Sequence, residues 1–436
     1  MVRLKAEINS DEICEQYKES EQDFTRKRVL GFARVIVMIL SGKKLSLQNS
    51  LNKFFSVIGE VFKVPTDSAY CQAKQKVKPE IFVHLTGQLN ADYYRLYGAD
   101  EEVKLWRGHR LIGGDGTKLN LPDTPDLRAS FGVQRNQTSG EQGGCVQATA
   151  VVAYDLLNDL GLQSALGKAH SSEKSLLFEV WSALEKGDVW VLDRNFADYS
   201  IIAKAKQDGL EMVVRCPHSS FSVVEDFWAS KERERIVWLP VSQCWRTRKY
   251  VKEQGLAEEI EVRLLKFRLK TGEEEVLLTT LCDQKKYPRR EFFKVYGIRW
   301  NNETYFDRIK NIFEVERFSG QSESSLKQDF YGVLFLANLE SVLSKEVETQ
   351  MQEMAQEREN ETLPQVNHAI SYVALVSRVA FLLADENKSS EETLKELKHL
   401  FWTNPTRHRK GRKQAREKPT SAQQVRYYRY SKRIIA

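Results

Sequence analysis

The stretch 296–310, YGIRWNNETYFDRIK, puts a phenol, a guanidinium, a carboxylate and an ammonium within reach of one another. At ~100° per residue, Tyr296, Arg299, Glu303 and Lys310 fall within about 60° around a helix axis. Surface helices often carry such ion-pairing faces, so the question is whether Glu303 has partners elsewhere in the chain. Two other acids stand out. Asp115 sits in GGDGT and Asp193 in VLDRNF, each behind an apolar, strand-like run. A carboxylate in that position is costly to bury without a counter-charge, hydrogen bonds or a metal ion. Taken singly, each acid is equally well explained as a turn or cap residue. Together with Glu303 they form an all-oxygen donor set, which favours the hard ions Mg²⁺ or Mn²⁺. Two such ions about 4 Å apart suit in-line phosphoryl transfer.

The elements that must hold these acids follow from the periodicity. Residues 1–98 read as helical, with apolar positions at Val29, Phe32, Ala33, Ile36, Val37 and Leu40, then a second helix near Leu51. This region suits either a DNA-contacting module or a plain helical cap. Beyond Asp100 the pattern turns extended: Val103 to Trp106, Arg110 to Asp115, a hairpin continuing through Lys118 to Leu121, then CVQATAVVAY from Cys145. Helices over 171–185 and 199–208 alternate with strands at 188–193 and 211–215. That order predicts a mixed α/β sheet covered on both faces. Residues 219–287 read as a mostly β insertion with charged loops. The helix of interest starts near Arg290, after Pro288, and helical runs follow at 325–350 and 368–383. The resulting division is 1–98, 99–218, 219–287, 288–345 and 346–436.

Charge and composition narrow the class. A net charge of +6 is modest for 436 residues, so its placement matters more than its total. From Arg407 to Arg433 there are eleven lysines and arginines against one acid, Glu417. Arg407, Arg409, Lys410, Arg412 and Lys413 begin this run, which reads as a phosphate-contacting tail. Six cysteines and seven histidines are scattered with no metal-ligand spacing, which argues for reduced thiols and against zinc. The most apolar N-terminal run is interrupted by Arg34, so a cytoplasmic, non-membrane protein is expected.

DGT at 115–117, LDRNF at 192–196 and Tyr-x2-Arg-x3-Glu-x6-Lys at 296–310 together resemble the signature of DDE transposases of the IS4 family. The resemblance covers roughly 100–340 and the flanks only loosely. It implies an RNase H-like core interrupted by a β-rich insertion, with Asp115, Asp193 and Glu303 as the catalytic, metal-binding triad. It gives Tyr296, Arg299 and Lys310 contacts to DNA phosphates and brings Trp300 near a displaced base. It makes residues 1–98 a DNA-binding domain and the partners double-stranded element ends and target DNA, held by a synaptic homodimer associated with the bacterial nucleoid. The implied reaction is strand cleavage with Mg²⁺ (Mn²⁺ as substitute, two ions), followed by strand transfer. A catalytically dead DNA-binding derivative and a hydrolysis-only nuclease are the alternatives.

Overall fold

A computed structural model describes residues 1–41, 46–99, 102–134, 144–269, 271–357, 363–384 and 389–407 of the chain. The strands of its main sheet are β1 (Leu111–Asn120), β2 (Val133–Gln134), β3 (Cys145–Asp155), β4 (Leu160–Lys168), β5 (Val189–Leu192), β6 (Glu211–Cys216), β7 (Glu234–Pro240), β8 (Glu259–Arg268) and β9 (Glu274–Thr279), and Pro364–Val366 and Pro405–Arg407 pair separately. Among the described residues β1 to β9 form one nine-stranded sheet in the order β2-β3-β1-β5-β6-β9-β8-β7, with β4 also paired to β3. β1, β3 and β4 are antiparallel neighbours, whereas β5 and β6 run parallel to β1. The parallel strand β5 is apolar and buried at all four positions, as a strand covered on both faces requires.

Two apolar clusters lie on the two faces of the sheet. One face is packed by helices Glu173–Glu179 and Tyr199–Gln207, through Leu176, Leu177, Ile201 and Ile202. The other is packed by helices Glu80–Ala99 and Arg289–Ile298 and by the long helix Glu323–Glu357. The N-terminal helices share this second cluster. In Phe32–Leu40 every residue from Val35 to Leu40 is buried, and Lys74 donates to Asp329 on the long helix at 3.0 Å.

The sequence reading differs from the fold in places that have physical causes. β1 is one ten-residue strand, with no hairpin after Asp115. Its glycines mark close packing, not a turn. A Cβ on Gly113 would lie 2.7 Å from Asn302 Nδ2, and one on Gly114 would lie 2.6 Å from Leu177 Cδ1. Asp115 therefore sits mid-strand, at the level where its neighbour β5 ends. The expected helix over 171–185 stops at Glu179, and a short 3₁₀ turn, Trp181–Ala183, follows. In 219–287, helices Ser222–Ala229 and Trp245–Glu253 stand where the sequence reading has loops. They are short and bury few apolar residues (Val224 and Phe227 in one, Val251 in the other), so their periodicity is faint. The strands of this stretch extend the central sheet through the β6–β9 pairing.

Candidate active site

Asp115 and Asp193 are brought side by side by strand register. β1 and β5 pair in parallel as far as Gly114↔Leu192, so the next residue on each strand is an aspartate. Asp193 then caps the turn Arg194–Phe196, accepting the Asn195 N–H at 2.7 Å. Asp115 accepts the Gly116 N–H at 2.9 Å. Burial pushes the Asp115 carboxyl up to about 6. The Gly116 N–H and Arg299 work against that rise, while the charges of Asp193 and Glu173 add to it.

The third acid arrives on the helical run after Pro288, which caps helix Arg289–Ile298. The run continues through Arg299 into helix Trp300–Asp307 and ends in a π turn, Arg308–Ile312. Because Gly113 has no side chain, buried Asn302 packs directly on β1, and that contact draws its neighbours toward Asp115. Arg299 lies between the acids, with Nη2 2.8 Å from Glu303 and Nη1 3.6 Å from Asp115. Its guanidinium also lies over the Tyr296 ring, 5.8 Å from the centroid. Burial lifts the Tyr296 phenol to about 12, so at neutral pH it is a hydrogen-bond donor. Among the described residues, no three His, Cys, Asp or Glu side chains stand close enough to hold one metal ion as they are. The donor chemistry nevertheless suits a hard divalent cation: oxygen ligands, mutual repulsion between Asp115 and Asp193, and a cationic side chain standing between Asp115 and Glu303.

The family described as "Transposase DDE domain" matches residues 106–339, more than half of the sequence and all three acids. The chain belongs to this family. A curated relative, transposase InsG for insertion sequence element IS4 of Escherichia coli, is 26% identical over 236 residues. That match takes in 54% of this chain and 52% of the relative, so the chain spans about half the length of the transposase it matches. The similarity agrees with the IS4-type signature read from the sequence. Among solved structures, a piggyBac transposase synaptic complex with hairpin DNA aligns over 92% of this chain and 85% of that chain. Its TM-score is 0.41 and its identity 10%, a likeness too distant to bear on the site.

In this DDE-domain chain the other expected residues are distributed unevenly. Lys310 does not join Arg299. Its ammonium donates to the Lys118 carbonyl at 2.7 Å, roughly 10 Å further along β1 from Asp115 at ~3.3 Å per residue. Burial lowers its proton affinity, with Glu316 working against that. Trp300 is 50% exposed, on the outer side of the helix and outside the core, whereas Trp190 is fully buried. Arg409, Lys410, Arg412 and Lys413 lie outside the described residues, as does the Arg407 side chain. No described helix is long and apolar enough to cross a membrane.

Two residues at the site were not singled out from the sequence. Arg215 follows Val214, which pairs with Leu192, so it continues the row Asp115–Asp193 onto β6. It pairs with Glu275 at 3.0 Å and acts on the Tyr296 phenol. Glu173 fills the space left open by Gly116, where a Cβ would lie 2.5 Å from its carboxyl carbon. It also accepts from the Asn195 side chain at 3.3 Å. In the sequence Glu173 is only one residue of the helix expected over 171–185, and Arg215 only the end of the strand at 211–215. Register and cross-sheet packing supply the rest.

Proposed function

We propose that this chain is a DDE transposase that cleaves DNA strands at the ends of an insertion sequence and joins them to target DNA. The observation that carries the reading is the pairing of register-matched Asp115 and Asp193 with a helix whose Glu303 is linked to Asp115 through Arg299. The strand order β4-β3-β1-β5-β6, antiparallel then parallel, supports an RNase H-like core. Asp115, Asp193 and Glu303 are the residues proposed to hold Mg²⁺, with Mn²⁺ as a substitute. When bound, such ions activate the attacking oxygen and neutralise the leaving oxygen of a phosphodiester.

The chain's own residues have distinct work in this scheme. Arg299 gives up its carboxylate partners and turns its fork to a phosphate next to the scissile bond. Tyr296, held protonated, donates a hydrogen bond to the same strand. Arg215 offers a second guanidinium one strand beyond Asp193, and Lys310 contributes once it leaves the Lys118 carbonyl. In the first step water attacks phosphorus, the bond to the 3′ oxygen breaks, and a 3′-hydroxyl is left. That hydroxyl then attacks the phosphorus of a second phosphodiester, whose own bond to its 3′ oxygen breaks, that oxygen leaving as a new 3′-hydroxyl, so no enzyme side chain is the nucleophile. Two copies, one at each element end, suit such a reaction.

Asp115→Asn, Asp193→Asn and Glu303→Gln are each expected to cut strand cleavage by on the order of 10³ while binding to a DNA end stays intact. The assay is Mg²⁺-dependent cleavage of a plasmid carrying the repeats that flank the reading frame. Full cleavage by any one of the three variants sinks the triad. Cleavage with no joined product would leave only a nuclease.

A further inference from the structure

We propose that the outer stripe of the helix bearing Glu303 is a platform for unpaired DNA bases, with Phe293 as a second stacking residue beside Trp300. This rests on the proposed function and extends it to the course of the strand beyond the acids. Phe293 is 47% exposed and Trp300 50% exposed, two aromatic rings open to solvent on the helical run that carries Glu303. At ~100° per residue their side chains are about 20° apart around the axis, and at 1.5 Å per residue about 10 Å apart along it. Gly297 lies between them, with open space where its Cβ would be. A base could therefore lie flat against the helix there.

The flanks fix the chemistry of the occupant. On one side, about 60–120° around the axis from Phe293, are Tyr296, Arg299 and Glu303 of the candidate active site. On the other, about 60–100° around, are exposed Arg290 and Lys294. An aromatic stripe between cations, continuous with a phosphodiester-cleaving site, matches the way single strands are held: rings stack on bases and cations follow the phosphates. The Phe293 ring is itself braced by Phe267, 5.7 Å between centroids, and Arg289 lies over Phe267 at 4.9 Å. The ring is thus presented on a supported surface. The spacing fits a strand leaving the acids with its bases turned to the helix, one at Trp300 and a later one at Phe293.

The test separates base stacking from phosphate attraction. The full-length chain is titrated with a twelve-residue oligothymidylate and with the same oligonucleotide made abasic at its central positions, in buffer without divalent ions. The wild type is expected to prefer the oligonucleotide with bases, and Phe293→Ala to lose about ten-fold of that preference with its abasic affinity unchanged. Phe293→Trp is expected to keep the preference and Phe293→Leu to lose it, since stacking needs a ring. Lys294→Gln is expected to weaken both oligonucleotides alike and reduce the salt slope by about 0.7. An unchanged preference in Phe293→Ala overturns the proposal. So does a leucine variant that behaves like wild type, or a Phe293→Ala variant that changes self-association instead. Plasmid cleavage by the wild type is read separately, so its absence would count against the proposed function and leave the platform standing.

Discussion

Two arginines nine residues apart on one helical run are set in opposite surroundings. Arg308 reaches both oxygens of Asp159, at 2.7 and 2.9 Å, and Asp159 also accepts from Ser341 at 2.9 Å. Next to it, fully buried Glu340 is met by His368 at 3.0 Å, by Ser344 at 2.9 Å and by Ser371. Arg299 has one close carboxylate, Glu303, and a second, Asp115, at a distance too long for a hydrogen bond. Asp115 is left with a raised proton affinity between Asp193 and Glu173. The Arg308 region has spent its charge on bonds and holds the sheet to the C-terminal helices. The Arg299 region keeps charge in reserve, which suits the role proposed for it toward cations and phosphates. The helix is the same; the partners differ.

That contrast can be broken at several points. Gly113→Ala drives a methyl group into Asn302 and Leu156, shifting the helix that carries Arg299 and Glu303. Cleavage should fall by about 10², since small misplacements of reacting groups cost that much. A variant with wild-type cleavage would mean that the close approach at Gly113 does not set the site. In the other region, Glu340→Gln should cost about 3 kcal/mol by chemical denaturation, because it breaks a buried pair. Burial works against both charges, yet His368 and Arg308 hold Glu340 below its ordinary 4.5, and Glu340 holds His368 above its ordinary 6.5. The carboxylate's contribution is lost as pH falls through its lowered value. The imidazolium's is lost as pH rises through its raised value. The cost of the substitution should therefore peak between 4.5 and 6.5 and shrink at alkaline pH; a flat profile contradicts the pairing.

Two smaller effects sharpen the comparison. Asp115 binds its proton more tightly folded than unfolded, so stability is lost as pH rises from its ordinary 3.8 to about 6 and stays lost above that. Asp115→Asn should raise stability by about 2 kcal/mol at neutral pH and have no such effect near pH 4, while abolishing cleavage. Equal melting temperatures of the two chains at pH 7 would count against a strained site. Asn302→Leu should add about 1 kcal/mol, because both polar atoms of the Asn302 side chain are buried with no hydrogen-bond partner among the described residues. A loss of stability would point to a bridging water in its place.

The helix start near Pro288, the strands near 145–154, 188–193 and 211–215, the helix near 199–208 and the chemical character of the three acids were legible in the sequence, whereas helix Pro125–Phe131 and strand Leu160–Lys168 were not. The legible features are local properties: a proline that cannot continue backward into a helix, period-two and period-3.6 patterns, and carboxylates placed after apolar runs. The hairpin after Asp115 was misread because glycine in a strand looks like a turn until the opposing side chains are known.

By itself, the sequence determined which residue types stand where, including the three acids proposed for phosphodiester chemistry, and that one helical run would carry Glu303 with Arg299. Tertiary structure decided what those residues meet. Parallel register set Asp193 beside Asp115, and the bare backbone at Gly113 let the helix come close enough for Arg299 to stand between two acids. It also sent Lys310 away to a β1 carbonyl and brought Arg215 and Glu173 in from strands and helices far along the chain. Register and close approach depend on contacts between distant segments, and no local spacing encodes them.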